Sequence, residues 1–291
     1  MTVFQPVQKT LLTDDGVTIA YQTAGTPGRH AIVLANGLGG RMATWTRIAE
    51  YFANDYQIIS WDHRGFFDSS RPGSPEHMDI PCHADDLRRV MQEAGVEQAV
   101  VFGWSMGTQI VLEFYRRHPG ACRGMVLVNG TYGRENGIGG HVHHRFTIDT
   151  LAAALAFTNP VLRGFVRMAN AFPYSLPVMK RLGFTAETID AEILDRVKKD
   201  LTSIDFETFG RMLQYMSRHS IKDLLPTIAV PTLVISSCRD RLAPCGKTRL
   251  MQEMIPGSEL LEVKLGTHYA PLEFPELINL RIEKFFQKHG F

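Results

Sequence analysis

The chain has 291 residues, of which 44% are hydrophobic and 21% charged, an ordinary composition for a globular protein with one large core. Its 31 lysines and arginines balance 30 aspartates and glutamates, and the formal net charge of +1 argues against binding nucleic acid or an anionic membrane through bulk charge. The expected partner is therefore a small molecule.

In chain order, two strands that pair antiparallel are predicted first, over Val3–Leu11 and Val17–Ala24. Apolar runs rich in β-branched residues follow without clean alternation, which is typical of strands buried on both faces of a parallel sheet. They cover Ala31–Ala35, Gln57–Trp61, Ala99–Phe102, Gly124–Asn129 and Thr232–Ser236, and Leu260–Val263 is expected to add the last strand. Helical patterns lie between them, at Thr44–Phe52, Cys82–Ala94, Met106–Arg117, Lys247–Met254 and Pro275–Lys288. This alternation predicts an α/β fold with a doubly wound, mostly parallel sheet.

The strand signal disappears from about Thr131 to Leu225. A glycine-rich link opens this stretch, and apolar helical patterning begins at Ile148. We predict a helical insertion that leaves and re-enters the sheet between the fifth and sixth parallel strands. The predicted organisation is a core domain over 1–130 and 226–291, with a helical cap over 131–225.

The segment Gly103-Trp104-Ser105-Met106-Gly107 follows a predicted strand and opens a predicted helix. In so tight a turn the flanking glycines avoid collisions with neighbouring backbone, and the serine hydroxyl is projected outward. Ser105 is therefore the candidate nucleophile.

A serine nucleophile needs a base, and the base needs an acid that holds it in the productive tautomer. Of the eleven histidines, His268 follows the last predicted strand, and Asp240 lies just beyond Thr232–Ser236. The carboxyl ends of parallel strands meet at one edge of the sheet. The order Ser105, Asp240, His268 is thus a candidate catalytic triad.

These residues, together with three further motifs, resemble the α/β-hydrolase superfamily over essentially the whole chain. Asn36-Gly37-Leu38-Gly39 resembles the family's His-Gly oxyanion turn, Asp62-His63-Arg64-Gly65 its Asp-x-Arg-Gly segment, and Glu273-Phe274-Pro275-Glu276 the sequence that often follows the catalytic histidine. Asn36 replaces the usual histidine, and Phe67 stands at the second glycine position of the Arg-Gly-x-Gly-x-Ser pattern. The asparagine turn followed by Trp45 is similar to the enol-lactonase branch.

The resemblance implies an oxyanion hole made by the backbone N–H groups of Leu38 and Met106. It also implies a serine hydrolase that cleaves a carboxylic ester or lactone through an acyl-enzyme, without metal or organic cofactor. Because the cap is rich in apolar residues, we expect a small lipophilic substrate. The residues expected to line the pocket are Asn36, Trp104, Phe165, Met168, Phe172 and Tyr269.

Other activities stay open on the same scaffold: carbon–carbon bond hydrolysis, cofactor-free perhydrolysis, and a non-catalytic small-molecule binding module. The dehalogenase branch needs an aspartate where Ser105 stands. The oligomeric state also stays open, with a homodimer among the alternatives.

Several residues invite a different interpretation. His141, His143 and His144 could ligate zinc, but no carboxylate or cysteine is close in sequence, and a cap hinge or a solvated turn explains them equally well, so we expect no metal site. His63 could serve as a base, although its motif favours a structural role. Cys238 could be a nucleophile, but nothing in the sequence lowers its pKa.

The beginning of the chain lacks the basic segment, apolar run and cleavage site of a secretory signal, and no apolar stretch approaches the ~20 residues that cross a bilayer. We therefore expect a cytoplasmic protein without a membrane span. Its four cysteines form no CxxC pair, so we expect reduced thiols.

Overall fold

The structure is a computed structural model, and it describes residues 5–28, 30–134, 185–186 and 188–291. Its strands are β1 (Val7–Leu12), β2 (Thr18–Gly25), β3 (Ala31–Ala35), β4 (Gln57–Trp61), β5 (Ala99–Trp104), β6 (Cys122–Val128), β7 (Thr232–Ser237) and β8 (Glu259–Val263). They form one sheet in the order β1-β2-β4-β3-β5-β6-β7-β8. The β1–β2 and β2–β4 pairs are antiparallel, and all the others are parallel.

Helices connect the parallel strands. They are α1 (Thr46–Phe52), α2 (Ile80–Glu93), α3 (Met106–Arg117), α4 (Ala191–Ser203), α5 (Phe206–Arg218), α6 (Cys245–Met254), α7 (Ala270–Glu273) and α8 (Pro275–His289). Short 3-10 turns lie at Met42–Trp45, Pro75–Met78, Pro119–Ala121 and Lys222–Thr227. None of the helices in the described ranges is both long and apolar enough to span a membrane.

The core lies on both faces of the sheet because successive strand residues point to opposite sides. Val33 and Val101 belong to the cluster that α2 and α3 cover, whereas Leu34 and Phe102 belong to the cluster that α1 and α8 cover. All four side chains are fully buried. Burial on both faces is the reason why these strands read as continuous apolar runs.

The predicted doubly wound, mostly parallel α/β fold is confirmed. The bounds of β3, β4 and α3 are those expected from the sequence. The position predicted for the insertion is wrong: it lies between β6 and β7, which are the fourth and fifth of the six parallel strands. Only β3, β4, β5 and β6 precede it, because the opening β1–β2 pair is antiparallel.

The insertion leaves and re-enters the core through two paired segments. Gly133 and Ser220 form an antiparallel bridge, Arg134 N donates to His219 O, and Ile221 N donates to Tyr132 O. Of the predicted cap, α4 and α5 are described, while 135–184 lie outside the described residues. The division into core and cap stays a prediction.

Candidate active site

Ser105 occupies the sharp turn between β5 and α3. Its backbone has φ 57° and ψ −117°, a conformation that is uncommon for a residue other than glycine. Ser105 N donates to Val128 O at 2.9 Å, which fixes the turn against β6. A Cβ on Gly107 would lie 2.1 Å from Ala35 O, so the start of α3 reaches this close to β3 only with glycine there.

The Ser105 side chain is half-buried and makes no capping hydrogen bond with α3, although Ser105 is the N-cap residue. Capping is the usual structural use of a serine at this position. Its hydroxyl is therefore available for another purpose, at a helix end that favours negative charge.

His268 and Asp240 form a buried pair. His268 Nδ1 lies 2.8 Å from Asp240 Oδ2, and the two side chains are 7% and 0% exposed. The other oxygen, Asp240 Oδ1, accepts N–H groups from Leu242 at 2.8 Å and Ala243 at 2.9 Å. Because a carboxylate only accepts, Nδ1 is the donor in this bond, which is the orientation that leaves Nε2 for a second partner.

The loop of His268 is tied to the turn that carries Ser105. Trp104 Nε1 donates to His268 O at 2.9 Å, and the two rings are 5.1 Å apart. Asn129 Nδ2 donates to Thr267 O at 3.0 Å and to His268 O at 3.1 Å. Glu273 Oε2 accepts from Thr267 N at 2.8 Å, which fixes the loop from its other side. The structure thus pairs His268 with Asp240 and ties their loop to the turn that carries Ser105.

The loop after β3 lies against Ser105. A Cβ on Gly37 would be 3.2 Å from Ser105 Cβ and 2.8 Å from Trp104 Cε3, and Gly40 N closes the turn by donating to Gly37 O at 3.0 Å. Leu38, whose amide is a predicted oxyanion donor, is half-buried in this turn. Met106, the other predicted donor, is the first residue of α3.

The structure assigns Asn36 a role different from the predicted pocket lining. Its side chain is fully buried: Nδ2 donates to Trp61 O at 2.6 Å, and Oδ1 accepts from Trp45 Nε1 at 2.9 Å. Both polar atoms of the Asn36 side chain are hydrogen-bonded to buried groups of the fold. We therefore correct the prediction that Asn36 lines the pocket and assign it a structural role. This pairing also gives a reason for Asn36 and Trp45 to occur together.

The other predicted pocket residues divide into two groups. Trp104 and Tyr269 pack together with ring centroids 5.5 Å apart, and burial raises the pKa of Tyr269 to about 12. Phe165, Met168 and Phe172 lie outside the described residues.

A cavity of about 670 Å³ reaches the predicted acid. Asp240 and Thr267 line it from the core, and Thr185, Ala186 and Thr188 line it from the insertion. Residues from the segment predicted to form the cap therefore line a cavity beside Asp240.

Phe67, which departs from the family's glycine, adopts φ 49°. This is the left-handed region, which explains why glycine suits the position. The Arg41 guanidinium lies 4.7 Å above the Phe67 ring and donates to Asp62 at 3.2 Å and to Asp68 at 2.9 Å. Desolvation of the buried carboxyl raises the pKa of Asp62 to about 6.

Two buried histidines lie behind the loop after β3. The rings of His63 and His83 are 4.9 Å apart, and both residues are 0% exposed. Burial lowers the pKa of His63 to about 4 and that of His83 well below the ordinary range. His63 Nε2 is bonded to Asn36 O at 2.9 Å, so the base interpretation of His63 has no support.

We expect the variant His63→Gln to lose less stability in acid than the parent protein. An unfolded histidine binds a proton below pH 6.5, whereas folded His63 stays neutral down to about pH 4. The contribution of His63 to stability is therefore complete above pH 6.5 and falls by about 1.4 kcal/mol per pH unit as the pH drops toward 4.

Urea unfolding at pH 7.5 and 5.0 measures this difference. The parent should lose on the order of 2 kcal/mol more than the variant, because only the parent has an unfolded-state proton to bind at position 63. Equal losses would show that His63 is not held neutral in the folded state.

The remaining alternatives from the sequence have different outcomes. Cys238 is exposed, but desolvation and the neighbouring Cys245 raise its pKa, so its thiol is not activated as a nucleophile. His141, His143 and His144 lie outside the described residues.

Comparison with known proteins decides the family. A family described as "alpha/beta hydrolase fold" matches residues 30–275. The chain belongs to the alpha/beta hydrolase family. It is 30% identical over 257 residues to a putative carbamate hydrolase RutD of Azorhizobium caulinodans, covering 88% of this chain and 89% of the relative. The RutD protein of Klebsiella pneumoniae is 28% identical over 247 residues, covering 83% and 85%.

Solved structures agree on the fold. The enol-lactonase from Burkholderia xenovorans LB400 superposes with a TM-score of 0.77 at 19% identity, covering 96% of this chain and all of that one. At this identity the likeness concerns the fold alone. The family match and the relatives named as hydrolases make this protein a hydrolase, and the solved structure agrees with the eight-stranded sheet described above.

Sequence reasoning missed three residues that support the site of this hydrolase: Asn129, Glu273 as a loop anchor, and Arg41. Asn129 carried a usable signal, because a polar residue before glycine ends an otherwise apolar strand. Its φ of 46° and its two bonds to the His268 loop explain that position. Nothing in the sequence marked Arg41 as a functional residue, apart from its position after the glycine turn.

Proposed function

We propose that this hydrolase cleaves a carboxylic ester or lactone by nucleophilic attack of Ser105, with His268 as base and Asp240 as its acid. The observation that carries the proposal is the buried His268–Asp240 pair, joined at 2.8 Å and tied through Trp104 to the turn of Ser105. A buried imidazole that is hydrogen-bonded to a carboxylate, in a loop tied to a serine turn, is the arrangement on which acyl transfer to serine depends.

The chemistry follows from the protonation states of the residues. His268 Nε2 takes the proton as Ser105 Oγ attacks the carbonyl carbon, and Asp240 stabilises the imidazolium through Nδ1–H. The backbone N–H groups of Leu38 and Met106 donate hydrogen bonds to the negatively charged carbonyl oxygen. Each bond stabilises the tetrahedral intermediate by about 3 kcal/mol. The leaving alkoxide takes the Nε2 proton, and water cleaves the acyl-enzyme by the same steps.

Apolar side chains of the insertion support a lipophilic substrate. A Cβ on Gly39 would lie 2.6 Å from Ile204 Cδ1, 3.3 Å from Phe209 Cε2 and 3.5 Å from Leu201 Cδ2. These residues of α4, α5 and their link cover the turn that carries the Leu38 amide. A mostly apolar wall with few polar groups is typical of small-molecule sites.

A carbamate is the second candidate substrate, because the RutD relatives are named putative carbamate hydrolases. Its carbonyl carbon would be attacked by the same serine with the same oxyanion donors. Nitrogen donation makes that carbon less electrophilic than an ester carbon. The two candidates therefore differ in substrate reactivity and not in the residues used.

Labelling by a serine-directed organophosphonate tests the mechanism without knowledge of the substrate. We expect one adduct per chain, located on Ser105 by mass spectrometry, and loss of activity in proportion to labelling. An active protein that stays unlabelled would contradict the serine mechanism. A protein that stays unlabelled and shows no activity would favour a binding module.

A matched substrate panel tests the substrate class. It compares 4-nitrophenyl esters, 4-nitrophenyl carbamates of the same length and simple lactones by kcat/KM. We expect esters or lactones to exceed the matched carbamates, because their carbonyl carbon is more electrophilic. A carbamate that exceeds its matched ester by about tenfold, or 1.4 kcal/mol in transition-state stabilisation, would favour the second candidate.

A further inference from the structure

The loop that carries the Leu38 amide is held at its first carbonyl by a histidine from a neighbouring strand end. His63 Nε2 lies 2.9 Å from Asn36 O, the carbonyl directly before Gly37. A carbonyl oxygen only accepts hydrogen bonds, so Nε2 donates and carries the ring proton. This bond joins the segment after β4 to the loop after β3.

The Asn36 carbonyl has little freedom on its other side. A Cβ on Gly107 of α3 would lie 2.9 Å from Asn36 O, so this oxygen is confined between the imidazole and the helix that begins after Ser105. The Asn36 carbonyl shares a peptide group with Gly37 N, and the next peptide group carries the Leu38 N–H, so a displacement of the carbonyl would move that donor. The His63 bond therefore acts within two peptides of the proposed oxyanion donor.

The other end of the same loop is bonded to the residue next to His63. Arg41 Nη2 donates to Asp62 Oδ2 at 3.2 Å, and Asp62 is fully buried. Asp62 and His63 thus hold the two ends of the turn over residues 36–41. The ring of His63 also packs edge-on against the ring of Trp61, with centroids 5.5 Å apart.

We propose that His63 is a positioning residue for acyl transfer, which holds the Leu38 amide at the oxyanion by donating from Nε2 to Asn36 O. The proposal rests on the proposed function, because it assigns the Leu38 amide to the oxyanion hole. His63 touches neither the nucleophile nor its base among the contacts of the described residues. Burial lowers the pKa of His63 to about 4, so the ring stays neutral above that pH.

A pair of variants of nearly equal shape separates the hydrogen bond from packing. His63→Gln retains an N–H donor at a similar reach, while His63→Met fills the space without a donor. His83→Phe is the matched control, because His83 is equally buried and contacts the His63 ring. Thermal unfolding verifies that each variant is folded, and His63→Phe replaces His63→Met if that protein does not fold.

The measurements are kcat, KM and the rate of organophosphonate labelling. We expect His63→Met to lower kcat and the labelling rate by about 10- to 100-fold, somewhat less than the ~10²- to 10³-fold typical of removing a donor outright. KM should change by less than about twofold, because the donor acts on charge that develops only in the transition state. His63→Gln should recover most of the loss, and His83→Phe should resemble the parent.

Inhibitor affinity is a second measurement, and a change in the packing around residue 63 alone would not alter it. A trifluoromethyl ketone forms an oxyanion on Ser105, so its affinity should fall with kcat in His63→Met, whereas a non-reactive ester analogue should bind unchanged. An unaltered kcat and ketone affinity in His63→Met, or equal losses in His63→Met, His63→Gln and His83→Phe, would overturn the proposal. Activity that survives Ser105→Ala would instead contradict the proposed function, which keeps the two failures distinct.

Discussion

Replacing Ser105 by alanine should lower kcat by about 10³-fold or more and leave the fold intact. The hydroxyl is the attacking group in the proposed mechanism, and without it His268 and Asp240 have no nucleophile to activate. The cost in stability should be small, because Ser105 makes no capping bond and alanine keeps the same Cβ at φ 57°. Ester hydrolysis and thermal unfolding measure the two effects.

Ser237→Ala is a suitable control for this variant. Ser237 ends β7 at the same edge of the sheet and is buried, so its loss changes packing but not the proposed chemistry. It should retain far more activity than Ser105→Ala and should still be labelled by the organophosphonate. Near-normal turnover in a verified Ser105→Ala protein would eliminate the acyl-enzyme mechanism.

Replacing Asp240 by asparagine should lower kcat by about 10⁴-fold, the order found for the same change in serine proteases. An asparagine oxygen can still accept the N–H groups of Leu242 and Ala243, so the loop should keep its shape. Its amide would then face His268 Nδ1 as a donor. This selects the tautomer with the proton on Nε2, which cannot accept the proton of Ser105.

Glu273→Gln is the corresponding control, since Glu273 is a buried carboxyl that bonds the same loop at Thr267 N. It does not contact the His268 ring among the described bonds, so its loss should reduce kcat much less. The assignment of the acid would be wrong if Asp240→Asn were fully active while Glu273→Gln abolished turnover. Both variants require a check of folding, because both carboxyls are buried.

The residues of the proposed triad could be proposed from the sequence because each one follows a local sequence pattern. A tight turn marks Ser105, and a strand end precedes both Asp240 and His268. Parallel strands bring such ends to one edge of a sheet whatever the details of packing. The bounds of β3, β4 and α3 were predictable for a similar reason, since buried strands and amphipathic helices leave patterns over neighbouring residues.

The direction of individual side chains was decided only by the tertiary structure. Asn36 was predicted to line the pocket, but its amide is bonded to Trp61, 25 residues away. The bond from His63 to Asn36 O spans 27 residues, and the bond from Asn129 to His268 O spans 139. Composition and periodicity predict which residues are buried. They do not predict which distant polar group forms a hydrogen bond with each buried donor. Those partners follow from the order of strands in the sheet, where β4 lies between β2 and β3, because that order places the end of β4 beside the loop after β3.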